Sequence, residues 1–261
     1  MSDPAASVEP SRPAPDETRS VVKAAGLIGV ATFSSRILGF VRDMVLARLF
    51  GAAPAADAFF VAYRIPNLLR ELFAEGSMSA AFIPVFTEYH TLKTKRDAWE
   101  LASATFTTLL TIVTAVTLLG ILAASGIVWL LAPGFRGSPD KLALTTLLTQ
   151  MMFPYLIFIS LAALAMGILN SLRAFAAPAF SPVFFNIFTI ACMMFLSPWL
   201  PEPIIGVAIG IVVGGVAQFA MQLPGLKGRG MLFGLRFQPG HPGVKRIGWL
   251  MVPSLLGLSV T

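Results

Sequence analysis

VVKAAGLIGVATFSSRILGFVRDMVLARLF, residues 21–50, is an apolar run that carries charge in its interior. A short turn, GAAPAAD (51–57), separates it from a second run of the same character, AFFVAYRIPNLLRELFAEGSMSAAFIPVFTE (58–88). Arg36, Arg42, Asp43 and Arg48 lie in the first segment; Asp57, Arg64, Arg70, Glu71 and Glu75 lie in or beside the second. Both runs are long enough to be membrane helices, yet a charge at the bilayer centre costs ~2.5–3.5 kcal/mol on insertion scales. These side chains therefore face a water-filled cavity or one another, not lipid.

At about 100° per residue, Asp57, Arg64, Glu71 and Glu75 fall on one stripe of the second helix, with Asn67 at its border. Arg36 and Asp43 share a face of the first helix, and Arg42 points elsewhere. Pro66 predicts a kink near residues 62–66, and the Glu75-Gly76 pair a further interruption. Arg48, Asp57 and Glu75 are near enough to the segment ends to snorkel, and Arg64 could pair with Glu71. Arg36, Arg42 and Arg70 lie deeper, and Asp43 cannot neutralise all three. Arginine keeps its charge and grips phosphate or carboxylate with a planar fork, so an anionic ligand, phosphate above all, is the expectation.

The rest of the chain has the composition of a membrane protein: 56% of its 261 residues are hydrophobic and 12% charged, against about 25% charged in soluble domains. Residues 1–20, rich in Pro, Ser and acids, read as a disordered tail. Further apolar helices are predicted over about 101–131, 142–169 (kinked at Pro154), 179–200 and 204–222. Gly206, Gly210 and Gly214 in the last form overlapping GxxxG steps, the mark of close helix packing. Residues 223–246 form a basic connector, and 247–261 begin a seventh helix too short to span, which suggests a piece of a longer protein.

The net charge of +6 resides mostly in loops, so it reports orientation and not nucleic-acid binding. Arg12, Arg19, Lys23, Lys93, Lys95, Arg96, Arg173, Lys227, Arg229, Arg236, Lys245 and Arg246 fall on one side of the predicted spans; only Arg136 and Lys141 fall on the other. The N-terminus is therefore expected in the cytoplasm, with six complete spans across residues 21–222. Cys192 lies alone in an apolar run and His90 and His241 are far apart, so no metal site and no cofactor are expected.

FSSRILGFVRDMVLARLFGA (33–52) and ADAFFVAYRIPNLLRELFAEGSMSAAFIPVFTEY (56–89) resemble the signature of the MurJ/MviN family of lipid II flippases, in the MOP exporter superfamily. The likeness continues through APGF (132–135), FPYL (153–156), ILNS (168–171), FAAPAFSPVFFN (175–186), QLPGL (222–226) and VPSLLGLSV (252–260). It implies an all-α, polytopic transmembrane bundle: the N-terminal six-helix lobe of such a transporter plus the start of a seventh helix. It implies alternating-access transfer of the undecaprenyl-pyrophosphate-linked peptidoglycan precursor, lipid II, from the inner to the outer leaflet of the bacterial inner membrane. It also implies partners in the lipid bilayer and in the cell-wall synthesis and division machinery. Arg36, Arg42, Asp43, Asp57, Arg70 and Glu75 coincide with family positions, Arg64 joins them on the polar stripe, and Glu71 departs where some members have a basic residue. No bond is broken in such transfer, so no catalytic residue is expected. Other readings are an exporter of another lipid-linked oligosaccharide, a polyprenyl-phosphate enzyme, or a scaffold for cell-wall assembly. The enzyme would need clustered acids or a histidine at one membrane face, and the scaffold would not need mid-membrane arginines.

Overall fold

The computed structural model describes residues 15–51, 53–73, 77–231 and 233–258. These form ten α-helices, and among the described residues there is no strand. α1 (Pro15–Phe50) starts earlier than expected, with Pro15 at its first position, so part of the predicted tail is helical. The second predicted helix is two: α2 (Pro54–Phe73) and α3 (Ser77–Leu92). The chain stays helical through Pro66 and ends the segment at Phe73, beside the Glu75-Gly76 pair.

α4 (Lys95–Leu131) begins at a capping box: Thr94 Oγ1 accepts from the Asp97 amide, and the Asp97 carboxylate accepts from the Thr94 amide. Each satisfies a donor that the first helical turn leaves open. α5 (Pro139–Met152) and α6 (Tyr155–Ser171) are the predicted fourth helix, divided at Phe153-Pro154 where proline removes a backbone donor. α7 (Ala176–Ala191) continues through a π turn and a 3-10 turn to Trp199, and α8 (Ile204–Ala220) follows. α9 (Leu223–Lys227) and α10 (Pro242–Leu258) bracket the basic connector; α10 starts at Pro242, before the predicted start, because proline suits a first helical turn.

Five helical segments are long and apolar enough to cross a membrane: Ala25–Phe50, Lys95–Leu131, Pro139–Ser171, Ala176–Trp199 and Ile204–Lys227. The chain is thus a multi-pass membrane protein. The α2–α3 segment falls outside that set through the charge on α2, although α2 packs along α5 and α3 along α6. The α5–α6 segment is central and largely buried, whereas α1 is almost wholly exposed and leans on α7 alone of its larger contacts. The core joins Phe82 and Phe86 of α3, Leu101 of α4, Leu156, Leu164 and Ile168 of α6, and Val207 of α8.

Inside the bundle, Thr105, Thr107, Thr145 and Thr149 donate their hydroxyls to carbonyls four residues back, which satisfies them without water. α7 and α8 meet at small residues. A side chain at Gly206 would collide with Ser197 Oγ, and one at Gly214 would lie 2.8 Å from the Phe185 carbonyl oxygen. The GxxxG steps are therefore packing devices.

The connector is fastened to the bundle. Phe233 stacks on Phe106 at 4.2 Å between ring centroids. The Gly234 amide donates to Ser103 Oγ (3.4 Å), the Arg236 amide donates to Thr107 Oγ1 (3.0 Å), and the Arg236 guanidinium bonds Glu100 (3.0 Å). Arg246 of α10 pairs with Glu88 of α3 at 2.7 Å.

Candidate functional site

Parts of α1, α2, α7 and α8 border a small cleft, and Arg42 and Asp43 are its charged residues. Arg42 and Asp43 of α1 line it with Phe59, Phe60 and Tyr63 of α2; Thr189 of α7 and Ile211 of α8 line it too. Its enclosed volume is ≈ 50 Å³. A water molecule occupies about 30 Å³ in the liquid, so this space holds one or two waters and no pyrophosphate group.

Arg42 is half-buried and fixed on three sides. Its Nε and Nη2 both donate to Asp43 Oδ1, at 3.0 and 2.9 Å. Its Nη1 donates to Asn186 Oδ1 of α7 at 3.3 Å, and its Cζ lies 6.0 Å from the Phe185 ring centroid. The Asn186 amide nitrogen donates in turn to the Ser35 carbonyl of α1 (3.3 Å) and the Pro182 carbonyl (3.1 Å). Each terminal nitrogen of Arg42 keeps one N–H with no acceptor among the described residues, and Asp43 remains mostly exposed. A guanidinium held in this way has N–H groups left for a further acceptor.

The other expected residues take distinct positions. Arg36 and Asp43 lie on the exposed side of α1, and Arg42 turns toward α7, as the periodicity implies. Arg36 makes no hydrogen bond or ion pair among the described residues, and neither does Arg64. Glu71 therefore does not pair with Arg64: its Oε1 accepts from Asn67 Nδ2 at 3.0 Å, while Asn67 Oδ1 accepts from Arg70 Nε at 3.0 Å. The short amide one turn away along the helix competes successfully for the carboxylate. Asp57 joins another element, bonding Lys141 of α5 at 2.7 Å, with that ammonium 4.1 Å from the Phe135 ring centroid. Glu75 lies outside the described residues.

Three participants were not among the candidates: Asn186, Asn67 and Lys141. The two asparagines had a signal, since an amide inside an apolar helix needs a partner. Lys141 had none, because nothing local says which helix will lie beside Asp57. Among the described residues no group of His, Cys, Asp and Glu has metal-binding geometry.

A family profile described as "Lipid II flippase MurJ" matches residues 46–261. A Vibrio cholerae protein named "Probable lipid II flippase MurJ" is 43% identical over 251 residues, covering 94% of this chain and 48% of the relative. The "Lipid II flippase MurJ" of Burkholderia cenocepacia is 41% identical over 233 residues, covering 88% of this chain and 45% of its own length. A solved structure titled "Lipid II flippase MurJ, inward closed conformation" superposes with a TM-score of 0.70 at 28% identity, over 88% of this chain and 47% of that one. The chain spans about half the length of these relatives.

Proposed function

Because the chain belongs to the MurJ family of lipid II flippases, a family of transporters and not enzymes, we propose that it forms the N-terminal lobe of one. The cargo is lipid II, carried from the inner to the outer leaflet of the bacterial inner membrane by alternating access. The observation that carries this reading is the Arg42 constellation: a guanidinium in the interior of an apolar helix, fixed by Asp43 and Asn186, with N–H groups to spare.

In this reading Arg36, Arg42 and Arg70 supply the pyrophosphate contacts, with Arg64, Asp43 and Glu75 setting the local field. Asp57 aligns α2 with α5 through Lys141. A pyrophosphate with its sugars and peptide cannot cross hydrocarbon unaided, and a cationic cleft that opens to one side at a time lowers that barrier. The cleft of this lobe is too small to enclose the headgroup. The opposite wall then comes from the remaining half of a chain the length of the relatives. The prenyl tail stays in the bilayer throughout, and no bond is made or broken.

We count α2–α3 as a sixth crossing, since it runs beside the apolar α5–α6 segment. The N-terminus and the connector are cytoplasmic, and residues 21–222, 223–246 and 247–261 act as lobe, connector and start of the next helix. Cell-wall synthesis and division proteins are the partners this role calls for.

The test places alanine at Arg36, Arg42 or Arg70 in the full-length protein. Lipid II is expected to accumulate in the cytoplasmic leaflet while membrane insertion stays normal. Purified variants should bind lipid II at least about tenfold more weakly, since a hydrogen bond to a charged group is worth ~1.5–3 kcal/mol. Normal export and binding by all three variants would reject the assignment.

A further inference from the structure

A second cationic hollow lies away from the α1–α2 cleft, where α6 ends and α7 begins. Arg173 and Arg229 stand at its rim, Leu27 of α1 and Leu169 of α6 line it together with Phe175 and Ala177, and its volume is ≈ 400 Å³. No acidic residue contributes to it. It occupies the end of the bundle that carries Lys95, since a side chain at Gly230 would lie 3.7 Å from Lys95 Nζ.

Arg173 has φ 54, and no other non-glycine residue among those described has a positive φ. The reason is local. The Ala174 amide donates to the Leu169 carbonyl (2.8 Å), closing α6 with a turn whose penultimate residue is left-handed. Glycine is the usual occupant of that place because it has no Cβ to strain. Arginine is thus kept where backbone energetics favour glycine. Its guanidinium has no hydrogen-bond or ion-pair partner among the described residues. Arg229 spends one N–H on the Gly225 carbonyl (3.0 Å) and retains the others.

We propose that Arg173 and Arg229 bind the headgroup phosphate of an anionic phospholipid, whose acyl chain lies along the apolar lining and the neighbouring surface of α1. The chemistry of the hollow is amphiphilic: two arginines suited to phosphate oxygens above, and Leu27, Leu169 and Phe175 below. Beside it α1 exposes Leu27, Ile28 and Val30 within a segment long and apolar enough to cross a membrane. α7 adds its positive end, with no side-chain cap and no acid in its first turn.

The test measures lipid retention by native mass spectrometry on the full-length protein. Wild type is expected to hold phosphatidylglycerol about tenfold more strongly than phosphatidylcholine. Arg173→Gly should lose most of that preference while melting no lower than wild type, because glycine accepts the left-handed turn. Arg229→Gln should lose it in parallel, and Arg136→Gln, at the opposite end, should keep it. Unchanged retention in both rim variants, or equal retention of the two lipids by wild type, would overturn the proposal. Inorganic phosphate binding as tightly as phosphatidylglycerol would make the ligand a soluble anion and overturn the lipid assignment as well.

Discussion

Arg42 and Asn186 are 144 positions apart in the sequence and 3.3 Å apart in space, and their contact joins α1 to α7 at the edge of the cleft. Asn186 acts in two directions, accepting from the guanidinium and donating to the Ser35 carbonyl about two turns before Arg42. Replacing it with alanine should lower export about five- to tenfold, the scale of one hydrogen bond at ~1 kcal/mol. Combined with Arg42→Ala it should cost nothing further. Additive losses in that double-mutant cycle would mean that the two residues act separately.

Lysine at position 42 keeps the charge but not the fork. It cannot reach Asp43 with two nitrogens and Asn186 with a third. Arg42→Lys should therefore restore only part of the export lost in Arg42→Ala, measured as the rate of lipid II transfer in vesicles. Full restoration would show that positive potential suffices and that geometry does not matter.

Asp57 and Lys141 form an ion pair whose carboxylate is more than half exposed, with the ammonium mostly covered. Such pairs contribute at most about 1 kcal/mol. Exchanging the two, Asp57→Lys with Lys141→Asp, should preserve export within about threefold, whereas Asp57→Lys alone should impair it by setting two cations together. An exchanged protein as inactive as the single variant would place the carboxylate in contact with cargo.

Gly214 faces the Phe185 carbonyl and the Thr189 hydroxyl so closely that an added methyl would sit within 3 Å of both. Gly214→Ala should lower stability by about 1–3 kcal/mol, the usual cost of forcing atoms into a packed site. Gly126→Ala, where nothing lies within 4 Å, should not. Thermal unfolding in detergent compares the two directly.

Orientation rests on the basic loops. With Cys192 removed, a cysteine at Thr94 should be shielded from a membrane-impermeant thiol reagent in intact cells, and one at Gly137 should react. The reverse pattern would invert the topology and the cytoplasmic placement of the connector.

The apolar segments were legible because each records its own environment residue by residue. So was the separation of Arg42 from the Arg36–Asp43 face, which follows from helical periodicity within one element. The partners were not legible. Lys141 beside Asp57 and Asn186 beside Arg42 depend on which helices become neighbours, a property of the bundle and not of any segment. Arg64 and Glu71 share a face but lie seven positions apart, about two turns, whereas Asn67, four from Glu71, offered the carboxylate a nearer donor. The kink residues carried mixed information: Pro154 coincides with a division between helices, while the helix around Pro66 runs on to Phe73.

The fastening of residues 233–236 to α4, and of Arg246 to Glu88, has a mechanical meaning. A slack tether would let α10 reorient while α3 and α4 stay still. Held at Phe106, Thr107 and Glu100 on one side and at Glu88 on the other, the start of α10 has its position set by α4 and α3, so α10 could turn against them only by breaking these contacts.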